Sequence, residues 1–133
     1  TMRIENWELR VEIFFYDNMK QNIVADKSKS FALRIIKLYT FLKEERSEYV
    51  LSRQILRSGT SIGANVRESK NAQSNLVFIS KLSIALKEAD ETAYWLELLV
   101  ESSIITQIQF DSLYSDLNEI ISLELSLTAK ILA

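Results

Sequence analysis

Three carboxylates stand where side chains could act together. Glu88 and Glu91 lie three residues apart, so on a helix they share one face. Glu68 closes a second set, Arg57, Ser61, Asn65 and Glu68, spaced four, four and three. At 100° per residue those four fall along one side of a helix. Two chemistries fit such a set. Carboxylates on one helical face hold Mg²⁺ against a triphosphate in all-α nucleotide pyrophosphohydrolases, which makes such a hydrolase, using Glu88 and Glu91, the enzymatic alternative. The other is an ion and hydrogen-bond network in which Arg57 neutralises the acids and Ser61 and Asn65 supply hydrogen bonds, as charges removed from water require. The network is the favoured reading. Helix 4 offers no acidic pair at a convincing spacing, and no glycine-rich loop is present to cradle phosphates. The chain has no His and no Cys. That removes the commonest general base and metal ligand, thiolate chemistry, and the Glu-x-x-His of di-iron bundles. No catalytic residue, metal ligand or cofactor is expected, and the chain reads as a non-enzyme.

These residues must be positioned by helices. The chain has 133 residues, no Pro and only two Gly, so few breaks interrupt its elements. Phe31, Ile35, Leu38, Tyr39 and Leu42 recur at three- and four-residue steps, and Asp26, Ser28 and Ser30 offer N-cap oxygens ahead of them. A second helix is predicted over about 48–72 and a third from after Ser74-Asn75 to about Glu101, with Ile79, Leu82, Leu86, Ala89, Ala93 and Leu96 as its stripe. Thr106-x-x-Gln109 forms a capping box that opens the fourth, which carries Leu113, Leu117, Ile120, Leu127 and Ile131. Short connections make neighbouring helices antiparallel. The expected fold is therefore all-α, an antiparallel up-down four-helix bundle over residues 23–133. Residues 1–22 form an N-terminal arm whose pattern fits either state: Trp7, Leu9, Val11, Ile13 and Phe15 alternate like a strand, while Ile4, Trp7, Val11 and Phe14 fit a helical stripe. No apolar run reaches the ~18 residues of a membrane span, and the charged N-terminus has no signal-peptide core. A cytoplasmic location with no membrane partner is expected.

Charge divides along the chain. Residues 26–72 hold ten Lys/Arg against five Asp/Glu, whereas residues 73–133 hold three against nine. Complementary rims within the bundle explain this most simply. The sharper reading is a basic surface for RNA or DNA, with Lys27, Lys29, Arg34, Lys37, Arg53 and Lys70 as candidate phosphate contacts. Tyr39, Tyr94 and Trp95 read as core or interface aromatics rather than base-stacking platforms.

Helix 2 is the informative one. Leu51, Ile55, Gly59, Ile62 and Val66 make its apolar seam, the Arg57 set a second face, and Thr60, Gly63 and Arg67 a third. Six Ser, Thr, Asn or Gly residues fall between Ser58 and Asn65, although each costs up to about 1 kcal/mol in a helix relative to Ala. Close approach of another helix, in the bundle or from another subunit, explains them better than solvent does, and Gly59-x-x-x-Gly63 allows it.

The stretch Arg57-Ser58-Gly59-Thr60-Ser61-Ile62-Gly63-Ala64-Asn65-Val66-Arg67-Glu68 resembles the signature of the four-helix bundle proteins first noted as reading frames in intervening sequences of bacterial large-subunit ribosomal RNA. Arg57, Ser61, Ile62, Asn65, Val66 and Glu68 match its pattern, and Phe78, Ile79, Leu82, Ile84, Ala85, Glu88, Glu91 and Leu96 match its third helix. The resemblance covers about residues 24–130. The family often has Pro near position 63, where this chain has Gly. The resemblance implies a pentameric barrel of four-helix protomers. Through the related accessory protein of diversity-generating retroelements, it also implies RNA, DNA or a nucleic-acid-processing protein as partner. A purely structural assembly protein is the remaining alternative. In the assembled protein Arg57, Asn65, Glu68, Glu88 and Glu91 are expected to leave solvent, and loss of one member, Glu68 for example, to cost about 3–5 kcal/mol.

Overall fold

The computed structural model describes residues 2–132, with side chains from Asn6 onward. Four helices follow one another: α1 (Met2–Arg46), α2 (Leu51–Lys70), α3 (Asn75–Glu101) and α4 (Gln107–Leu132). Each packs on two neighbours in the order α1, α2, α3, α4 and back to α1. Contacts run in opposite directions along adjacent helices. Lys20, Lys27 and Arg34 of α1 meet Ser126, Glu119 and Asp116 of α4. Ser58 and Glu68 of α2 meet Thr92 and Lys81 of α3. Among the described residues no helix is long and apolar enough to cross a membrane.

Local chemistry explains each helix end. Ser47 and Ser103 turn the chain with φ of 51° and 61°, the left-handed conformation that redirects a chain leaving a helix. Helix α2 starts later than its pattern suggests, because the Glu48 carboxylate accepts from the Val50, Leu51 and Ser52 amides at 3.1, 2.9 and 2.7 Å. Ser74 caps α3 by accepting from the Val77 amide. Thr106 and Gln109 form the reciprocal box at α4, with bonds of 2.9 and 3.1 Å.

Helix α1 departs from the sequence reading. It does not begin at Asp26 but runs unbroken from Met2, so Asp26, Ser28 and Ser30 are interior helical residues. Nothing between Met2 and Arg46 breaks a helix, since the stretch has neither Pro nor Gly. The alternation at 7–15 yields to the helix because a strand needs a paired neighbour, whereas helical hydrogen bonds are local. Contacts with α4 reach back to Asp17, which pairs with Lys130 at 2.8 Å. Trp7, Phe14 and Phe15 are exposed.

The core has two parts. The larger holds Phe31, Ile35, Leu42, Ile55, Ile62, Leu96, Leu99 and Leu117, and the smaller holds Val24, Val66, Phe78, Leu82, Ala85 and Leu127. The glycines of α2 serve the α1 contact. A Cβ on Gly59 would come within 2.9 Å of the Ile35 side chain, and one on Gly63 within 3.4 Å of the Ser28 carbonyl. Helix α2 passes through Gly63 without a positive φ.

Candidate functional site

Arg57 sits at the outer edge of the α2–α3 seam, one helical turn before Ser61. Its guanidinium donates from Nη1 to Glu88 at 3.2 Å and from Nη2 to Glu91. Hydrogen bonding to Glu91 is the main reason its pKa rises further above the ordinary value, and the nearby charge of Glu91 and Glu88 adds to it. The seam is graded in exposure: the Arg57 side chain is 49% exposed, Glu91 34% and Glu88 16%. Beneath it the fully buried Thr92 hydroxyl donates to Ser58 at 2.9 Å.

The remaining stripe residues do not join this cluster. Glu68 pairs with Lys81 at 2.9 Å and stays 57% exposed. Ser61 bonds to the Arg57 carbonyl and Asn65 to the Ser61 carbonyl, both within α2. Of the six expected network residues, four line one face of α2 and two one face of α3, but only Arg57, Glu88 and Glu91 meet in the protomer. A four-residue offset lets a Ser or Asn side chain bond a carbonyl of its own helix instead of reaching across to α3.

The six basic candidates divide as well. Lys27 and Arg34 face α4, pairing with Glu119 at 2.7 Å and Asp116 at 2.6 Å, and Arg34 also bonds to Ser112. Lys29, Lys37 and Arg53 are exposed with no carboxylate partner among the described residues. Lys70 reaches Asn22 at 2.7 Å. Lys29 and Lys70 line a groove between α1 and α2 of about 700 Å³, with Ala25, Ala32, Gly63 and Ala64 among its walls. Tyr94 packs against Trp95, which lies on the larger core cluster.

The sequence places Arg67 on the third face of α2 but not among the candidate phosphate contacts; it joins Lys29 and Lys70 at the groove, seven residues after Thr60 and fourteen after Arg53. One residue escaped the sequence reading altogether. Glu124 is fully buried, and neither carboxylate oxygen has a partner among the described residues. It interrupts the stripe Leu117, Ile120, Leu127 on α4 and lies between the two core clusters, as the buried and unpartnered Ser28 hydroxyl does on α1. Burial alone pushes its carboxyl up to about 8. A charge inside an apolar stripe was the sign of it.

The family model described as 23S rRNA-intervening sequence protein matches residues 20–125. A crystal structure of a protein of unknown function from the S23 ribosomal protein family of Bacteroides thetaiotaomicron is 56% identical, with a TM-score of 0.82, over 83% of this chain and 98% of its own. Among curated proteins none matches.

Proposed function

We propose that this chain, which belongs to the 23S rRNA-intervening sequence protein family, is a self-assembling helical-bundle protein of the cytoplasm that works by binding and not by catalysis, with a pentamer as the expected assembly. The carrying observation is the α1–α2 groove of about 700 Å³. The close α1–α2 approach explains Gly59, and Gly63 touches Ser28, but Thr60 and Ala64 point to the outside of that approach and line an open groove. Small residues along an outer helix face favour a second helix. Sedimentation equilibrium at micromolar concentration tests this: mass well above the 15.4 kDa protomer is expected, and a single protomer-sized species refutes it.

A nucleic-acid accessory role is the second reading. It draws on Lys29, Lys37, Arg53 and Arg67, which are exposed in the basic half of the chain with no carboxylate partner among the described residues. Lys27 and Arg34, already neutralised, drop out of it. Binding should weaken steeply with salt through counterion release. Failure of both structured RNA and duplex DNA to shift at ~50 mM salt, where such binding is strongest, ends that reading. The hydrolase alternative loses ground because Arg57 engages both Glu88 and Glu91. Pyrophosphate release from nucleoside triphosphates with Mg²⁺, lost in Glu88→Gln, would restore it.

A further inference from the structure

The N-terminal arm and the α1–α2 groove lie along one line of one helix. Among the described hydrogen bonds and charge contacts, those that tie α1 to its own bundle start at Tyr16 and Asp17, which meet Lys130 of α4. Ahead of them Trp7 and Phe14 are 65% and 63% exposed. Eighteen residues make about five full turns, so Trp7, Val11, Phe14 and Asn18 stand on the same line as Ala25, Lys29, Ala32 and Ile36. Ala25, Lys29 and Ala32 form the α1 wall of the groove, faced on α2 by Thr60, Gly63 and Ala64. One helix therefore carries a stripe with two exposed aromatics and, further along, a stripe of mostly small residues beside an open groove.

The two stripes match each other. Both step by four, three and four residues. Two α1 helices laid antiparallel thus bring them level throughout: Trp7 with Ile36, Val11 with Ala32, Phe14 with Lys29 and Asn18 with Ala25 of the other copy. Large side chains meet small ones, and the Lys29 ammonium comes level with an aromatic ring it can lie over. Glu8 and Lys37 stand on the same flank, about 100° and 120° round from Trp7, and this register leaves them about 3 Å apart along the axis. Neither is in an ion pair among the described residues. A two-fold axis makes the contact twice. Trp7 and Phe14 together leave roughly 250 Å² of aromatic surface in water; covering it hides a similar area of groove, and two such contacts remove roughly 1,000 Å², the extent a specific interface must reach. A lipid surface fits less well. Helices that lie in one carry a polar face rich in Lys and Arg, whereas residues 6–22 hold Arg10 and Lys20 against Glu8, Glu12 and Asp17.

We propose that the N-terminal arm of α1 docks in the α1–α2 groove of a second copy, reciprocally about a two-fold axis, with Trp7 and Phe14 against the small-residue walls. The contact is isologous, so it joins copies, or rings of copies, in pairs. The proposal rests on the self-assembly reading and adds to it which surfaces meet.

The chain has no Cys, so introduced thiols report the contact. Val11→Cys with Ala32→Cys sets two thiols about 31 Å apart along one helix, too far to bond within a chain. Mild oxidation should give a covalent dimer and nothing larger, and neither single variant should cross-link. A ladder of larger species, a dimer from either single variant, or no dimer at all overturns the proposal. Trp7→Glu with Phe14→Glu tests the arm directly, since both side chains lie outside the core clusters. Circular dichroism confirms that this variant is folded, and sedimentation should show half the parent's mass. A variant that keeps the parent's mass overturns the docking while leaving self-assembly in place. If it keeps that mass but no longer floats with phosphatidylcholine–phosphatidylglycerol vesicles that carry the parent, the arm belongs to a membrane and the proposal fails. A parent that sediments as a single protomer removes both readings.

Discussion

Replacing Glu124 by Leu should make the protein more stable, and increasingly so as pH rises. The folded carboxyl titrates at about 8 against an ordinary 4.5, because it is buried with no partner to offset the lost hydration. Below 4.5 it is protonated in both folded and unfolded states and imposes no linkage penalty. Between 4.5 and 8 the unfolded chain releases the proton and the folded chain keeps it, so stability falls by about 1.4 kcal/mol per pH unit. At pH 7 the accumulated loss is about 3 kcal/mol, and above pH 8 it levels off near 5 kcal/mol, both orders of magnitude. Urea unfolding of parent, Glu124→Leu and Glu124→Gln at pH 5, 7 and 8.5 reads this directly, since the other titrating groups cancel between variants. The Leu variant should gain over the parent at every pH, with the gap widening by about 3 kcal/mol from pH 5 to 7. The Gln variant cannot ionise and should show the same widening, offset by an amide that stays unpartnered. A gap that is equal at pH 5 and 8.5 refutes the reasoning, for it would mean the carboxyl finds water or a partner in the folded protein.

Other outcomes follow from particular contacts. Gly59→Ala should cost about 1–3 kcal/mol by thermal melting, because the new methyl meets Ile35 at 2.9 Å. Gly63→Ala, with 3.4 Å to its nearest neighbour, should be neutral or gain up to about 1 kcal/mol of helix propensity; equal effects at the two glycines would count against the packing described. Glu68→Ala should cost no more than about 1 kcal/mol, since its pair with Lys81 is exposed. Arg57→Ala should cost more than Glu68→Ala, because it strands Glu88 at 16% exposure, and the reverse order in urea titrations would contradict the geometry. Thr106→Ala should lower stability by about 1 kcal/mol through the lost cap of α4, with Thr106→Ser close to the parent.

Much of this protein is legible in one dimension. The three- and four-residue repeat of Phe31, Ile35, Leu38 and Leu42, and of Leu113, Leu117 and Ile120, implies helices with a single buried stripe, and those residues are in the core. The Thr106–Gln109 box and the Ser74 cap are legible because capping joins groups three residues apart, and the helical spacing of Glu88 and Glu91 puts both within reach of one cation. Each of these facts depends on neighbours in sequence. What the sequence could not decide depends on which neighbour a helix face meets. Lys27 and Lys29 are two residues apart, about 200° around α1, and packing gives one an acid on α4 and the other an open groove. Glu68 shares a line with Arg57, yet the approach of α3 delivers Lys81 to it rather than Glu88. At Glu124 the helical stripe was already in the sequence, but only the assembled bundle closes apolar side chains around the carboxylate and withholds a partner. Helical period is set by local hydrogen bonds, whereas hydration and charge pairing are set by whatever the other three helices bring to the same point in space.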